Sequence, residues 1–267
     1  MTCRRIPSEG PARGALSRVV SAARRQLPPG HSPRPATAAR VTPVTSPLPL
    51  ASGRTADVFA VDDNRVLRRY RDGGDVAAEA AVMIYVGGRG FPVPRVFSAS
   101  GPDIVMERLD GPTMLDALLA GDLDIPAAAE MLADLLARLH ELPARLARDP
   151  AVRVLHLDLH PGNILLSSRG PVVIDWPNAV EGPPDLDIAL SALILAEVAV
   201  GDRPEVASAA RMLLTEFLAR ADGDLLRGLE RAVAIRRANP TLSAEEIDRL
   251  AVAAALIGDV IAAGSTA

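Results

Sequence analysis

The stretch His156-Leu157-Asp158-Leu159-His160-Pro161-Gly162-Asn163-Ile164-Leu165-Leu166 decides how this chain is read. Three groups able to bind metals or move protons, His156, Asp158 and His160, alternate at period two. A Pro-Gly turn leads to Asn163, and an apolar run closes the segment. On these residues alone it is a metal site, a catalytic loop, or a polar bend between buried strands. Downstream, residues 164–166 and 172–174 are short apolar runs around Ser167-Ser168-Arg169-Gly170, a hairpin signal. In an antiparallel hairpin the start of one strand lies beside the end of the other. Asn163 and Asp175 should therefore meet at one end, with Asp158 in the loop leading in. Two such oxygen donors, with room for phosphate oxygens and waters, suit Mg²⁺. A neighbouring carboxylate can orient and deprotonate an attacking hydroxyl.

The surroundings divide by texture. Residues 51–61 read as a turn leading into a strand, 62–64 as a turn, and 65–70 as the returning strand. Residues 75–86 predict a capped helix with Val76, Ala80, Val82, Met83 and Val86 as its apolar set. Pro92 and Pro94 force an extended segment, since proline pushes its predecessor out of the helical region. Strands are expected at 96–98 and 103–108. Beyond Gly111 the pattern is helical apart from the hairpin. A short helix is expected at 114–120. A clear amphipathic one follows at 126–142, with Met131, Leu132, Leu135, Leu136, Leu139 and Leu142 on one face. Pro126 suits its first turn and Pro143 ends it. Further helices are expected at 188–200, 205–221, 224–238 and 243–263. The expectation is an α+β, two-lobed fold. Residues 49–109 form a small β-rich lobe with one helix. Residues 110–267 form a larger, mostly helical lobe that holds the hairpin, and a cleft between lobes is a common ligand site.

Composition narrows the chemistry. Hydrophobic residues make up 49% and aromatics 3%, so Ala, Val, Leu and Ile must build the core. All 29 basic residues are arginine, which excludes Schiff-base catalysis and a phosphate-loop lysine. The single cysteine, Cys3, permits neither an internal disulfide nor a cysteine zinc cluster, and fits a reducing cytoplasm, the expected location. The longest apolar run, 188–200, is interrupted by Glu197 and too short for a bilayer, so no membrane association is expected. Residues 1–48 hold eight arginines against one acid, Glu9. Their Pro, Ser, Thr and Ala content, without sustained apolar periodicity, predicts a disordered tail, within which 14–26 is a candidate basic helix. A targeting peptide would share this Arg-rich, acid-poor character. No aromatics interleave with the arginines, so nucleic acid is not an expected partner.

The pattern His156-x-Asp158-x-x-x-x-Asn163 followed by Ile174-Asp175-Trp176 resembles the catalytic and metal-binding loops of the protein-kinase-like fold. The fuller string, His-x-Asp-Leu-His-Pro-Gly-Asn then Ile-Asp-Trp, looks like the aminoglycoside phosphotransferase branch and its choline-kinase-like relatives. The resemblance implies a γ-phosphoryl transfer from ATP or GTP, with Mg²⁺, to a hydroxyl of a small molecule such as an aminoglycoside, amino alcohol or amino sugar. By the same resemblance Asp158 is the base, Asn163 and Asp175 are the metal ligands, and Asp187 is a buried tie to the catalytic loop. Gly53, Thr55 and Val58 match a phosphate-covering loop. Glu107 and Leu109 fall in a hinge that bonds adenine through its backbone. Arg68 stands where the family has lysine, with Arg69 beside it, and Glu79 is the expected ion-pair partner. The helical tail is short for an antibiotic-modifying member. His156 and His160 are read as bracing the loop, and Trp176 as core or cleft wall. Two other classes stay open. One is a zinc hydrolase built on His156, Asp158 and His160, with only His31 and His140 left to complete its ligands. The other is a non-catalytic nucleotide binder of the same shape.

Overall fold

The computed structural model describes residues 48–240 and 242–264. The expected tail, with its 14–26 helix and Cys3, lies outside the described residues except for Leu48. No helix among the described residues is long and apolar enough to cross a membrane.

Strands β1 (Ala51–Ser52), β2 (Ala56–Ala60), β3 (Arg65–Tyr70), β4 (Val96–Ser100) and β5 (Asp103–Glu107) form one antiparallel sheet in the order β1-β2-β3-β5-β4. The β2–β3 turn is closed by Asp62, whose Oδ1 accepts the Asn64 N–H at 3.0 Å, as Asx side chains commonly do. β3 is central and buries Val66, Leu67 and Arg68 in succession. Its register sets Arg68 opposite Val58 on one side and Ile104 on the other. Helix α1 (Ala77–Gly87) begins where the Asp75 carboxylate accepts the Ala77 N–H at 2.9 Å. Its buried face is not purely apolar: Glu79 lies there with Ala80, Met83 and Val86, while Val82 is half-buried.

After β5 the chain turns at Gly111, where φ is +90° and a Cβ would stand 2.0 Å from the Leu166 carbonyl oxygen. Only glycine allows the connection to pass so close in that conformation. Helix α2 (Met114–Ala120) carries a full capping box between Thr113 and Asp116. Helix α3 (Ile125–Glu141) is capped by Asp124, which accepts the Ala127 N–H at 2.8 Å. Its buried face is Ala128, Ala129, Leu132, Leu135, Leu136 and Leu139. Met131 and Leu142, expected in that face, are half-buried at its margin, because small alanines fill the closest approach.

The expected hairpin is β7 (Ile164–Ser167) with β8 (Gly170–Val173), paired Ile164 to Val173. A second two-stranded pair, β6 (Arg153–Leu155) with β9 (Val180–Gly182), was not expected. Three residues are too few to show a period, and the pairing arises from the tertiary approach of the two segments. Helices α4 (Pro184–Ala199), α5 (Pro204–Leu218), α6 (Leu225–Arg237) and α7 (Ala244–Gly264) complete the fold. α4 starts four residues before the expected 188, since Pro184 sits in its first turn, where the missing N–H costs nothing. Residues 186–196 are all buried, making α4 the axis of the helical region. Asp224 caps α6, and Ser243 caps α7 in a reciprocal bond with Glu246. The core joins sheet side and helical side through Trp176, which is fully buried with Phe91 edge-on at 5.8 Å and His156 at 4.7 Å. Trp176 is therefore core, not cleft wall.

Candidate active site

Between the sheet and the helices lies a cleft of about 1860 Å³ lined by Gly53, Thr55, Val58, Arg68, Glu107, Leu109, Asp158, Asn163 and Asp175. Of the residues singled out in the sequence, Glu79, His156, Trp176 and Asp187 stand behind the wall, Glu79 reaching the site through Arg68. The Arg68 guanidinium donates from Nη1 to Glu79 Oε1 at 3.0 Å and from Nη2 to Asp175 Oδ1 at 2.5 Å. Arg69, one residue on, points to the opposite face and grips Asp103 with both donors at 2.7 and 2.6 Å. The period-two geometry of β3 allows only one of the two arginines into the cleft. Arg68 is the one. Burial works against its charge, but Asp175 and Glu79 hold its pKa above the ordinary value. Glu79 is braced by the Tyr70 hydroxyl, which donates to Oε2 at 2.7 Å. Burial raises the Glu79 pKa despite both partners. The sequence reading missed Tyr70, although its place two residues after Arg68 on one strand face was the available signal.

Asp158, Asn163 and Asp175 come together as the hairpin argument requires. The Ile174 N–H bonds the Asn163 carbonyl at 3.0 Å, continuing the ladder to the residue before Asp175. Asn163 is buried, and its Nδ2 donates to the Asp158 carbonyl at 2.9 Å, leaving Oδ1 as the amide's open acceptor. Asp175 has φ of +68°, a left-handed backbone held without glycine. Such strain at a site costs of order 1–3 kcal/mol and persists because surrounding bonds over-determine it. Burial and the Asp175 charge push the Asp158 carboxyl up to about 6. That value leaves it mostly ionised at neutral pH, yet basic enough to accept a proton. An amide oxygen beside a carboxylate is a hard donor set, which fits Mg²⁺.

The loop carrying Asp158 is held from beneath by Asp187, the fully buried acid of α4. Its Oδ2 accepts the His156 N–H at 2.9 Å and its Oδ1 the Leu157 N–H at 2.7 Å. Leu157 has φ of +61°, so these two bonds hold another strained residue, the one just before Asp158. His140 from α3 completes the arrangement, with Nε2 3.1 Å from Asp187 Oδ2. Burial alone would raise the Asp187 pKa, but bonds from His140 and the loop hold it low. His140 carried no distinguishing signal in the sequence beyond being polar near the end of an amphipathic helix.

Both loop histidines are engaged with the backbone. His156 Nδ1 accepts the Asp158 N–H at 3.2 Å, and Nε2 meets the Ile174 carbonyl at 3.0 Å. These partners select the neutral tautomer protonated at Nε2, and burial pushes this imidazole's pKa down. His160 Nδ1 accepts the Gly162 N–H at 3.1 Å, and burial with the neighbouring His156 pushes it down to about 4. His156 thus has no lone pair to offer a zinc ion. No cluster of three metal-ligating His, Cys, Asp or Glu side chains exists among the described residues, so the zinc reading has no ligand set there.

The phosphate-covering loop candidates form the tight connection between β1 and β2, where the Gly53 N–H bonds the Ala56 carbonyl at 2.9 Å. The Arg71 guanidinium bonds the Gly53 carbonyl. At the hinge, Glu107 and Arg108 use their N–H groups on the Arg95 and Asn64 carbonyls, both at 2.8 Å. Charged residues that the sequence reading had not connected to the site also face the cleft. Arg236 of α6 holds Glu197 of α4 with Nε and Nη2 at 2.8 and 2.7 Å. Arg54, on the β1–β2 loop, lies 3.9 Å from Glu246 of α7.

The sequence model of the phosphotransferase enzyme family matches residues 47–152 and 141–232. No curated protein sequence matches the chain. Among solved structures, a thermostable mutant of aminoglycoside phosphotransferase APH(4)-Ia, in ternary complex with AMP-PNP and hygromycin B, is similar at 15% identity and a TM-score of 0.53, covering 82% of this chain and 94% of that one. A choline/ethanolamine kinase family protein from Mesorhizobium loti is similar at 17% identity and a TM-score of 0.52, covering 83% and 93%. The two-lobed α+β architecture is thus the protein-kinase-like fold.

Proposed function

The chain belongs to the phosphotransferase enzyme family, and on that premise we propose that it transfers the γ-phosphoryl group of ATP or GTP to a hydroxyl of a small molecule. The observation that carries this reading is the convergence of Asp158, Asn163, Asp175 and Arg68 on one cleft. Asp158 orients the acceptor hydroxyl and takes its proton late, a role served by a carboxyl raised to about 6. Asn163 and Asp175 would hold Mg²⁺, which when bound would supply charge neutralisation at the phosphoryl group. Arg68 replaces the family's lysine; with Nη1 on Glu79 and Nη2 on Asp175, it offers the phosphates its charge and the N–H donors that those two bonds leave over. Gly53, Thr55 and Val58 cover the phosphates. Glu107 and Leu109 offer backbone groups to the base. The amino-bearing acceptors of the sequence reading are one subset of small-molecule hydroxyls.

The test is thermal stabilisation by ATP·Mg²⁺ and GTP·Mg²⁺ against Zn²⁺ alone, followed by a phosphate-transfer screen of hydroxylated small molecules. Stabilisation by a nucleotide and transfer from it are expected. Nucleotide binding without transfer to any acceptor would turn the reading to a non-catalytic binder, and stabilisation by zinc alone would revive the hydrolase.

A further inference from the structure

The acceptor end of the cleft is not the unpaired acidic pocket that a polycation needs. Three of its carboxylates on the helical side, those nearest Arg236, Arg249 and Arg54, are matched by guanidinium groups. Glu197 is held by Arg236, Asp202 by Arg249 at 3.0 Å, and Glu246 lies 3.9 Å from Arg54. Arg236 and Arg54 both act on Asp158 and His160, Arg236 the more strongly of the two. Arg236 is mostly buried, with side-chain exposure of 14% against 12% for Glu197. Glu197 occupies Nε and Nη2, and among the described residues Nη1 has no hydrogen-bond acceptor. No ion pair joins Arg236 directly to Asp158 among those residues. A gap therefore separates a base from a positioned cation, both lining the same cleft.

We propose that this chain's acceptor is a hydroxy compound bearing an oxyanion, a carboxylate or a phosphate, bound by Arg236 Nη1 while the hydroxyl is presented to Asp158. The assignment rests on the phosphotransferase reading and deepens it. A guanidinium already fixed by a buried carboxylate is pre-organised, so little side-chain freedom is lost when an oxyanion joins it. It also offsets the repulsion that Asp158 and Asp175 exert on an anionic acceptor. A cationic amine in the same place would face Arg236 at short range and find Glu197 already taken. Glu197 tempers the arginine without removing its open donors, and holds α6 against α4.

The experiment uses the full chain with AMP-PNP·Mg²⁺ and two skeleton-matched series: glucose, gluconate, glucose 6-phosphate and glucosamine; and glycerol, glycerate, glycerol 3-phosphate and 3-amino-1,2-propanediol. Calorimetric affinities are expected to favour an oxyanion member over its neutral parent by about ten- to a hundredfold, the contribution of a charge-assisted bond, and to place the amine last. The carboxylate and phosphate arms tell the two oxyanion sources apart. Glu197→Gln, which removes the counter-charge but keeps a hydrogen-bonding partner, should tighten the oxyanion further. A purely structural pair would not do so. Arg236→Gln with Glu197→Gln avoids a buried unpaired charge and should erase the preference while AMP-PNP·Mg²⁺ still binds. An amine bound as tightly as its oxyanion counterpart, no detectable binding in either series, or a preference that survives the double variant overturns the proposal. If nucleotide binding persists in that event, only the acceptor assignment falls; if the wild-type chain binds no nucleotide, the phosphotransferase reading falls with it.

Discussion

The Asp158 carboxylate carries a folding cost that its proposed role as a base would turn to use. Burial and the Asp175 charge raise its pKa to about 6 from the usual 3.8, so the folded state holds this proton more tightly than the unfolded one. The ionised group therefore opposes folding above pH 6, and that penalty fades as pH falls through 6 towards 4. Asp158→Asn removes the charge. In metal-free protein at pH 8 the variant should be more stable by on the order of 1–3 kcal/mol, and the advantage should vanish near pH 4. The same variant should lose phosphoryl transfer by about 10²–10⁴-fold. Paired melts at pH 8 and pH 5 with a turnover assay check both. Undiminished turnover would sink the assignment of the base, and pH-independent melting differences would sink its electrostatic account. At this scale the sequence was informative. The Asp158-to-Asn163 step of five and the distant Asp175 carried the signal, whereas the two histidines that stand out in the string prove bonded to backbone.

Among the elements, α4 and α6 meet closely enough that Gly228 has no room for a side chain. A Cβ there would stand 2.4 Å from the Asp185 carbonyl oxygen and 3.0 Å from the Ala189 Cβ. Because α6 also carries Arg236 and α4 carries Asp187 and Glu197, their contact fixes two sides of the site at once. Gly228→Ala should destabilise the fold by about 1–3 kcal/mol through overpacking and should weaken acceptor binding more than nucleotide binding. Denaturant melts with separate affinities for the two ligands measure this, and a variant as stable as the parent would show that the helices separate without cost. Helix periods made most of these elements legible, while the caps Asp124, Asp224 and Ser243 came to light only in the structure. Strands β6 and β9 were not, since each has three residues and exists through its partner.

Across the whole molecule, Arg68 is the tie. From the central strand of the sheet it reaches Glu79 on α1 and Asp175 at the end of the hairpin, joining three separate parts of the chain. Arg68→Ala should weaken ATP·Mg²⁺ binding by about ten- to a hundredfold, as expected for a lost charge-assisted contact. Arg69→Ala should change it by no more than about twofold, since exposed pairs such as Arg69 with Asp103 contribute little. Equal and negligible losses in the two variants, measured by calorimetry, would remove the phosphate role. Arg68→Lys, which supplies the family's residue, should retain most of the affinity.

The sequence by itself determined the order of the first sheet's main strands, the hairpin and the helices, and the spacing of Asp158, Asn163 and Asp175, because these depend on local period, turn chemistry and short loops. Only the tertiary structure decided which arginine enters the cleft, that His140 meets Asp187, and that Arg236 stands near Asp158. Those outcomes depend on strand register and helix packing, which bring together residues 47 to 107 positions apart in the chain. No local pattern encodes such distances.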